Sequence, residues 1–138
     1  MVLTERKEHI DYFIEYFKDI TENLIILTGA IGNKARKEAL LKLKTIPEDQ
    51  ELLIVATGRY LGEGFDEARL NTLFLTMPIS WKGTLAQYAG RLHRVHHSKK
   101  EVLIYDYVDT QVKMLTRMYE RRLNGYKLLG YEVKNDLN

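Results

Sequence analysis

Four short apolar runs, separated by segments with helical periodicity, constrain the fold of this chain more than any other feature. They are Leu24 to Leu27, Leu52 to Ala56, Thr72 to Met77 and Val102 to Tyr105. Runs of four to six residues without polar alternation are the pattern of strands buried on both faces. Between them lie stretches that read as helices. Ile10, Phe13, Ile14 and Phe17 recur at helical spacing, with Thr4 placed to cap that helix. A Lys/Ala/Leu-rich segment from about Lys34 to Lys44 follows the break at Gly29, Gly32 and Asn33, and Pro47 closes it. A third helix is expected from about Thr84 to Arg94. The last carries Val112, Leu115, Tyr119, Leu123 and Tyr126 on one face with Arg117 and Arg121 turned away, and Gly125 and Gly130 predict its end. Strands alternating with helices make an α/β domain with a mostly parallel sheet and helices on both faces. Residues 1–138 read as one such domain, without internal repeat or linker.

Composition narrows the chemistry. The chain has no cysteine, which excludes disulfides, thiolate nucleophiles and cysteine-ligated metals. Apolar residues make up 45% and charged residues 29%, ordinary for a globular protein. The net charge of +2 means that any affinity for nucleic acid must come from local arrangement and not from bulk charge. No apolar run approaches the length of a membrane span, and no basic-then-apolar leader opens the chain. The expected setting is the cytoplasm.

Two segments carry chemical information. In Gln87-Tyr88-Ala89-Gly90-Arg91-Leu92-His93-Arg94, helical spacing puts Leu85, Ala89 and Leu92 on the face toward the sheet. Gln87, Arg91 and Arg94 fall on the opposite face. Two guanidiniums a turn apart repel each other unless an anion sits between them, and their planar donor sets suit phosphate oxygens. A solvated basic face would explain this segment equally well. In Ala56-Thr57-Gly58-Arg59-Tyr60-Leu61-Gly62-Glu63-Gly64-Phe65-Asp66, three glycines follow a buried strand. Loops at the carboxyl ends of parallel strands are where ligands bind, and glycines let backbone N–H groups approach them. The chain contains no GxxxxGK[ST] phosphate loop.

In this order, the two segments resemble motifs five and six of superfamily-two helicases. Gln87, Gly90, Arg91 and Arg94 match the QxxGRxxR form of motif six at every defined position, and Thr57, Gly64 and Asp66 look like motif five. Leu27-Thr28-Gly29 resembles the motif-four region. The runs Met77-Pro78-Ile79-Ser80-Trp81-Lys82-Gly83 and Ile104-Tyr105-Asp106-Tyr107-Val108-Asp109 look like the branch containing restriction-enzyme helicase subunits. The resemblance implies the second RecA-like domain of a motor, a three-layer α/β sandwich of the P-loop NTPase type. ATP with Mg²⁺ would be held mainly by a first RecA-like domain upstream in the same polypeptide. Arg94 would be the principal arginine finger, Arg91 a second phosphate contact, and Gln87 would orient the γ-phosphate or attacking water. Gly64 and Asp66 would belong to the nucleotide side, Asp66 near the ribose or linking the two sites. Thr57 and the backbone around Thr28 and Gly29 would contact the phosphates of DNA or RNA. Without a Walker lysine or a DExx tetrad, the chain is expected not to hydrolyse ATP alone. The competing reading is a non-catalytic RecA-like module that binds nucleic acid or protein.

Other features read more plainly. Trp81 with Lys82 could stack on a base or pack on a neighbouring helix. His93, His96 and His97 cluster in sequence, but no carboxylate stands at ligand spacing, so no metal is expected there. With Lys99 and Lys100 they form a basic turn able to touch phosphate. Asp109 is placed to cap the last helix, and Lys113, Arg117, Arg121 and Arg122 belong to its solvated exterior.

Overall fold

A computed structural model describes residues 1–61, 65–80 and 84–134, with backbone alone at 60 and 61. Five strands form one sheet in the order β2-β3-β1-β4-β5, and every neighbouring pair is parallel. The strands are β1 (Val2–Leu3), β2 (Leu24–Leu27), β3 (Leu53–Ala56), β4 (Thr72–Leu75) and β5 (Leu103–Asp106). The helices are α1 (Lys7–Phe17), α2 (Asn33–Thr45), α3 (Ala86–Leu92) and α4 (Lys113–Leu128). The four apolar runs are strands, as their patterning predicts. The fifth strand, β1, is two residues long and was not visible in the pattern, yet it lies at the centre of the sheet.

Register and strand alternation sort the side chains onto two faces. Leu3, Ile25, Leu27, Ile54, Ala56, Leu73 and Leu75 share a core with Leu43 of α2, Leu85 and Leu92 around α3, and Tyr126 of α4. Val2, Val55 and Ile10 are buried outside that core, where α1 covers the other face. The sandwich therefore has helices on both sides.

Several local expectations change. Thr4 does not cap α1: Arg6 holds the cap position, and Thr4 is fully buried, its N–H donating to the Ala56 carbonyl at 3.1 Å. Asp109 does not cap α4 either. Its carboxylate accepts the Gln111 N–H at 2.9 Å in a local turn, and the helix starts at Lys113 behind an uncapped Val112. Helix α4 continues through the buried Gly125 and ends at Leu128. Gly130 then takes φ +84°, and the N–H groups of Gly130 and Tyr131 bond to the carbonyls of Lys127 and Tyr126. This is a Schellman ending, and only glycine adopts that φ freely.

The largest departure is Arg122. It is not on the exterior of α4 but 2% exposed in the interior. Its Nε and Nη2 donate to the two carboxylate oxygens of Asp106 at 2.7 and 2.8 Å, and its Nη1 donates to the Ile79 carbonyl at 2.6 Å. The Tyr126 hydroxyl donates to the same carboxylate at 2.8 Å. Burial, then the charge and hydrogen bond of Asp106, push the Tyr126 phenol far above its ordinary value. The network joins β5, α4 and the segment leading into α3.

Candidate nucleotide and nucleic-acid site

The carboxyl ends of the strands share one edge, and four of them are followed directly by a threonine. By register these lie side by side as Thr28 after β2, Thr57 after β3, Thr4 after β1 and Thr76 after β4. Thr28, Thr57 and Thr4 are buried, and the Thr76 hydroxyl donates to the Leu3 carbonyl at 2.9 Å. The Thr57 N–H is spent on the Leu27 carbonyl at 3.1 Å. Of the three residues expected to meet a nucleic-acid backbone, Gly29 is the exposed one, whereas Thr28 and Thr57 form the floor beneath it.

Next to Thr57, Gly58 begins a 3₁₀ turn (Gly58–Leu61), and its N–H donates to Glu5 Oε1 at 2.9 Å. A Cβ on Gly58 would stand 2.0 Å from the Tyr88 hydroxyl oxygen and 2.9 Å from Glu5 Oε1. Glycine is needed here because the loop lies against the α3 side chain Tyr88. Burial, and then the Glu5 charge, raise the Tyr88 phenol above its usual range and keep it protonated. Glu5 was missed from sequence because the strand that positions it is so short. We expect Gly58→Ala to cost about 1–3 kcal/mol from overpacking. Adding Tyr88→Phe should recover part of that, because the hydroxyl is the first obstacle and the ring carbon behind it lies at 3.2 Å. Thermal melts of the two variants check this, and an unaltered melt for Gly58→Ala alone would refute the clash.

Helix α3 presents the predicted apolar face: Leu85, Ala89 and Leu92 are fully buried, and Gln87 is exposed. The helix is shorter than expected, ending at Leu92, so Arg94 lies beyond it and not on the same helical face. Lys99 closes that end. Its ammonium donates to the carbonyls of Leu92 at 2.6 Å and Arg94 at 2.7 Å, so it faces inward and not toward a phosphate.

The structure brings the two motif-like segments together. Arg94 Nη1 donates to Asp66 Oδ2 at 2.7 Å, and Arg91 donates to the Phe65 carbonyl. The anion that paired guanidiniums require is therefore supplied internally for Arg94. The side chains of Arg94 and Asp66 are 52% and 55% exposed, so this pair contributes little to stability and separates easily. Next in sequence, Glu67 accepts from Arg69 through both carboxylate oxygens at 2.8 Å. Burial opposes the Glu67 charge, but the bonds and charge of Arg69 prevail and hold its carboxyl below the ordinary range. Arg69 also donates to the carbonyls of Ile46 and Pro47 at 3.2 and 3.0 Å, fixing this loop to the end of α2. Gly64, Trp81 and Lys82 lie outside the described residues.

Solved structures place this architecture. The C-terminal part of the Fun30 ATPase domain superposes with a TM-score of 0.66 at 16% identity, covering 87% of this chain and 38% of that one. UvsW of T4 gives 0.65 at 20% identity over 91% of this chain and 28% of its own. The yeast DEAD-box splicing factor Prp28 gives 0.65 at 19% identity, over 98% and 29%. The fold is RecA-like. The chain spans well under half the length of these three neighbours. No protein-family model and no curated protein matches the sequence. Among the described residues, no helix of the RecA-like domain is long and apolar enough to cross a membrane.

Proposed function

We propose that this chain is the second motor domain of an ATP-dependent nucleic-acid helicase or translocase, supplying arginine fingers to a nucleotide held mainly by a first RecA-like domain. The observation that carries the reading is the junction of Arg94 with Asp66 and Arg91 with the Phe65 carbonyl, on a RecA-like scaffold. Two guanidiniums lie there beside one exposed carboxylate, a donor set suited to phosphate oxygens. ATP with Mg²⁺ would supply the phosphoryl group and its developing negative charge. In this reading Asp66 holds Arg94 when no phosphate is present, and the exposed pair yields when a stronger anion competes. Gln87, exposed on α3, orients the water or γ-phosphate. DNA or RNA passes over the carboxyl edge near Gly29, with contacts to backbone phosphates. Closure and reopening of the cleft between domains would then move the two halves along the strand. The Met77–Gly83 and Ile104–Asp109 runs favour the restriction-enzyme branch of these motors, and the cysteine-free composition suits a reducing, cytoplasmic setting.

The test is ATP hydrolysis stimulated by nucleic acid, measured for this chain alone and for the same chain joined to its upstream sequence. Silence alone and activity in the longer protein are expected. Activity in the isolated chain, or in neither, would overturn the reading.

A further inference from the structure

At the amino end of the sheet, two connections meet that the proposed motor function does not use. One is the turn after α2, which carries Glu48. The other joins α3 to β5 and carries His96 and His97. One ligand-capable atom from each of these three residues lies within 4.8 Å of the others. The two imidazoles face each other with centroids 4.3 Å apart, and His96 Nε2 stands 3.8 Å from Glu48 Oε2. Sequence spacing offered the histidines no carboxylate partner; the fold brings one from a distant loop.

We propose that Glu48, His96 and His97 form a divalent metal site selective for Zn²⁺, with water completing the coordination. Two donors about 2.0–2.2 Å from a tetrahedral ion lie roughly 3.3–3.5 Å apart. The His96–Glu48 pair at 3.8 Å therefore needs a closure of only a few tenths of an ångström, and the separations to His97, within 4.8 Å, need a shift of no more than the exposed side chains can supply. The members divide the work. The His96 side chain is 10% exposed and fixed, whereas that of Glu48 is 69% exposed and free to move in. Ser98 holds the far side of the His96 ring, its Oγ 2.8 Å and its backbone N 3.3 Å from Nδ1. A backbone N–H donating to Nδ1 leaves the ring proton on Nε2, facing Glu48. Metal binding moves that proton to Nδ1, which then donates to the Ser98 hydroxyl at the cost of the longer Ser98 N–H contact, and frees the Nε2 lone pair. Such outer hydrogen bonds to a ligand histidine orient it and raise its basicity. The neighbouring carboxylate Glu67 is committed to Arg69, which leaves Glu48 as the acidic donor. Two imidazoles and one carboxylate suit zinc, whereas Mg²⁺ and Ca²⁺ favour all-oxygen sets.

The site is tested on the full chain, stripped with chelator and titrated calorimetrically with ZnCl₂ and then with MgCl₂. One equivalent of Zn²⁺ should bind and raise the melting temperature by mass action, with no Mg²⁺ binding. His97→Ala and Glu48→Gln should each weaken Zn²⁺ affinity more than ~10-fold and Ser98→Ala by about 10-fold, the scale of outer-shell losses. All three should melt like the parent without metal. His9→Ala, a histidine elsewhere in the fold, should bind Zn²⁺ as the parent does. No saturable Zn²⁺ binding, or binding that survives in both His97→Ala and Glu48→Gln, overturns the proposal.

Discussion

Replacing Arg94 with alanine in the two-domain protein is expected to lower nucleic-acid-stimulated ATP turnover by about 10³–10⁵, the range measured for arginine fingers. The same substitution should change stability by less than about 1 kcal/mol, because the Arg94–Asp66 pair is half exposed on both sides. That contrast makes the experiment informative. A structural arginine would show its loss in the melt, whereas a finger shows it in turnover alone. Steady-state ATPase assays beside thermal melts read both quantities, and normal turnover in the variant would remove Arg94 from the reaction. Arg91 should not separate so cleanly. It is half-buried and anchored on the Phe65 carbonyl, so its loss disturbs the loop as well as any phosphate contact.

The largest stability effect is expected at Arg122. Arg122→Ala leaves Asp106 buried without its bidentate partner and the Ile79 carbonyl without its donor. Breaking a buried pair in this way costs about 3–5 kcal/mol. For a domain of this size that is a fall in melting temperature of roughly 10–20 °C. Arg122→Lys should recover only part, since an ammonium cannot reproduce the two parallel bonds to Asp106 at 2.7 and 2.8 Å. Removing both charges, as in Arg122→Met with Asp106→Leu, should be far milder than either single change, because no uncompensated charge remains. Thermal melts of the double-mutant cycle decide this. A single Arg122→Ala that melts with the parent would mean the interior there is wetter than its burial implies.

The sequence showed the repeating layers because burial on two faces leaves unbroken apolar runs, and it showed the sheet-facing side of α3 because Leu85, Ala89 and Leu92 keep helical spacing. It did not show β1, since two residues cannot establish a period. Arg122 was misplaced because helical phase alone ranks a charge as exterior. Its burial depends on Asp106, which arrives from the strand that precedes α4. Thr4 and Asp109 carry good capping side chains, but tertiary contact uses the first inside the sheet and a local turn uses the second. At the candidate site, the residue types were legible and their partners were not. The Arg94–Asp66 contact needs α3 to stop at Leu92, and that ending depends on Lys99 folding back onto the carbonyls. Glu5 and Glu48 gained their positions only through long-range topology.

The two-residue strand at the centre gives the domain a seam. On one side β2 and β3 pair over four residues each, and on the other β4 and β5 do the same, whereas the halves are bridged by the short β1, Val2 and Leu3, extended by backbone bonds of the flanking Met1 and Thr4. Each half can be assembled from a contiguous stretch of chain, but the bridge pairs Val2 with Val55 and Phe74 across long sequence separations. Loop-closure entropy makes such contacts the late ones to form. The sheet therefore behaves as two locally built panels joined by a narrow stitch, with Gly29 and Thr57 on one panel and α3, leading to Arg94, rooted in the other. Any relative twist of the panels changes the distance between those two groups, and the stitch sets how stiffly they are held together.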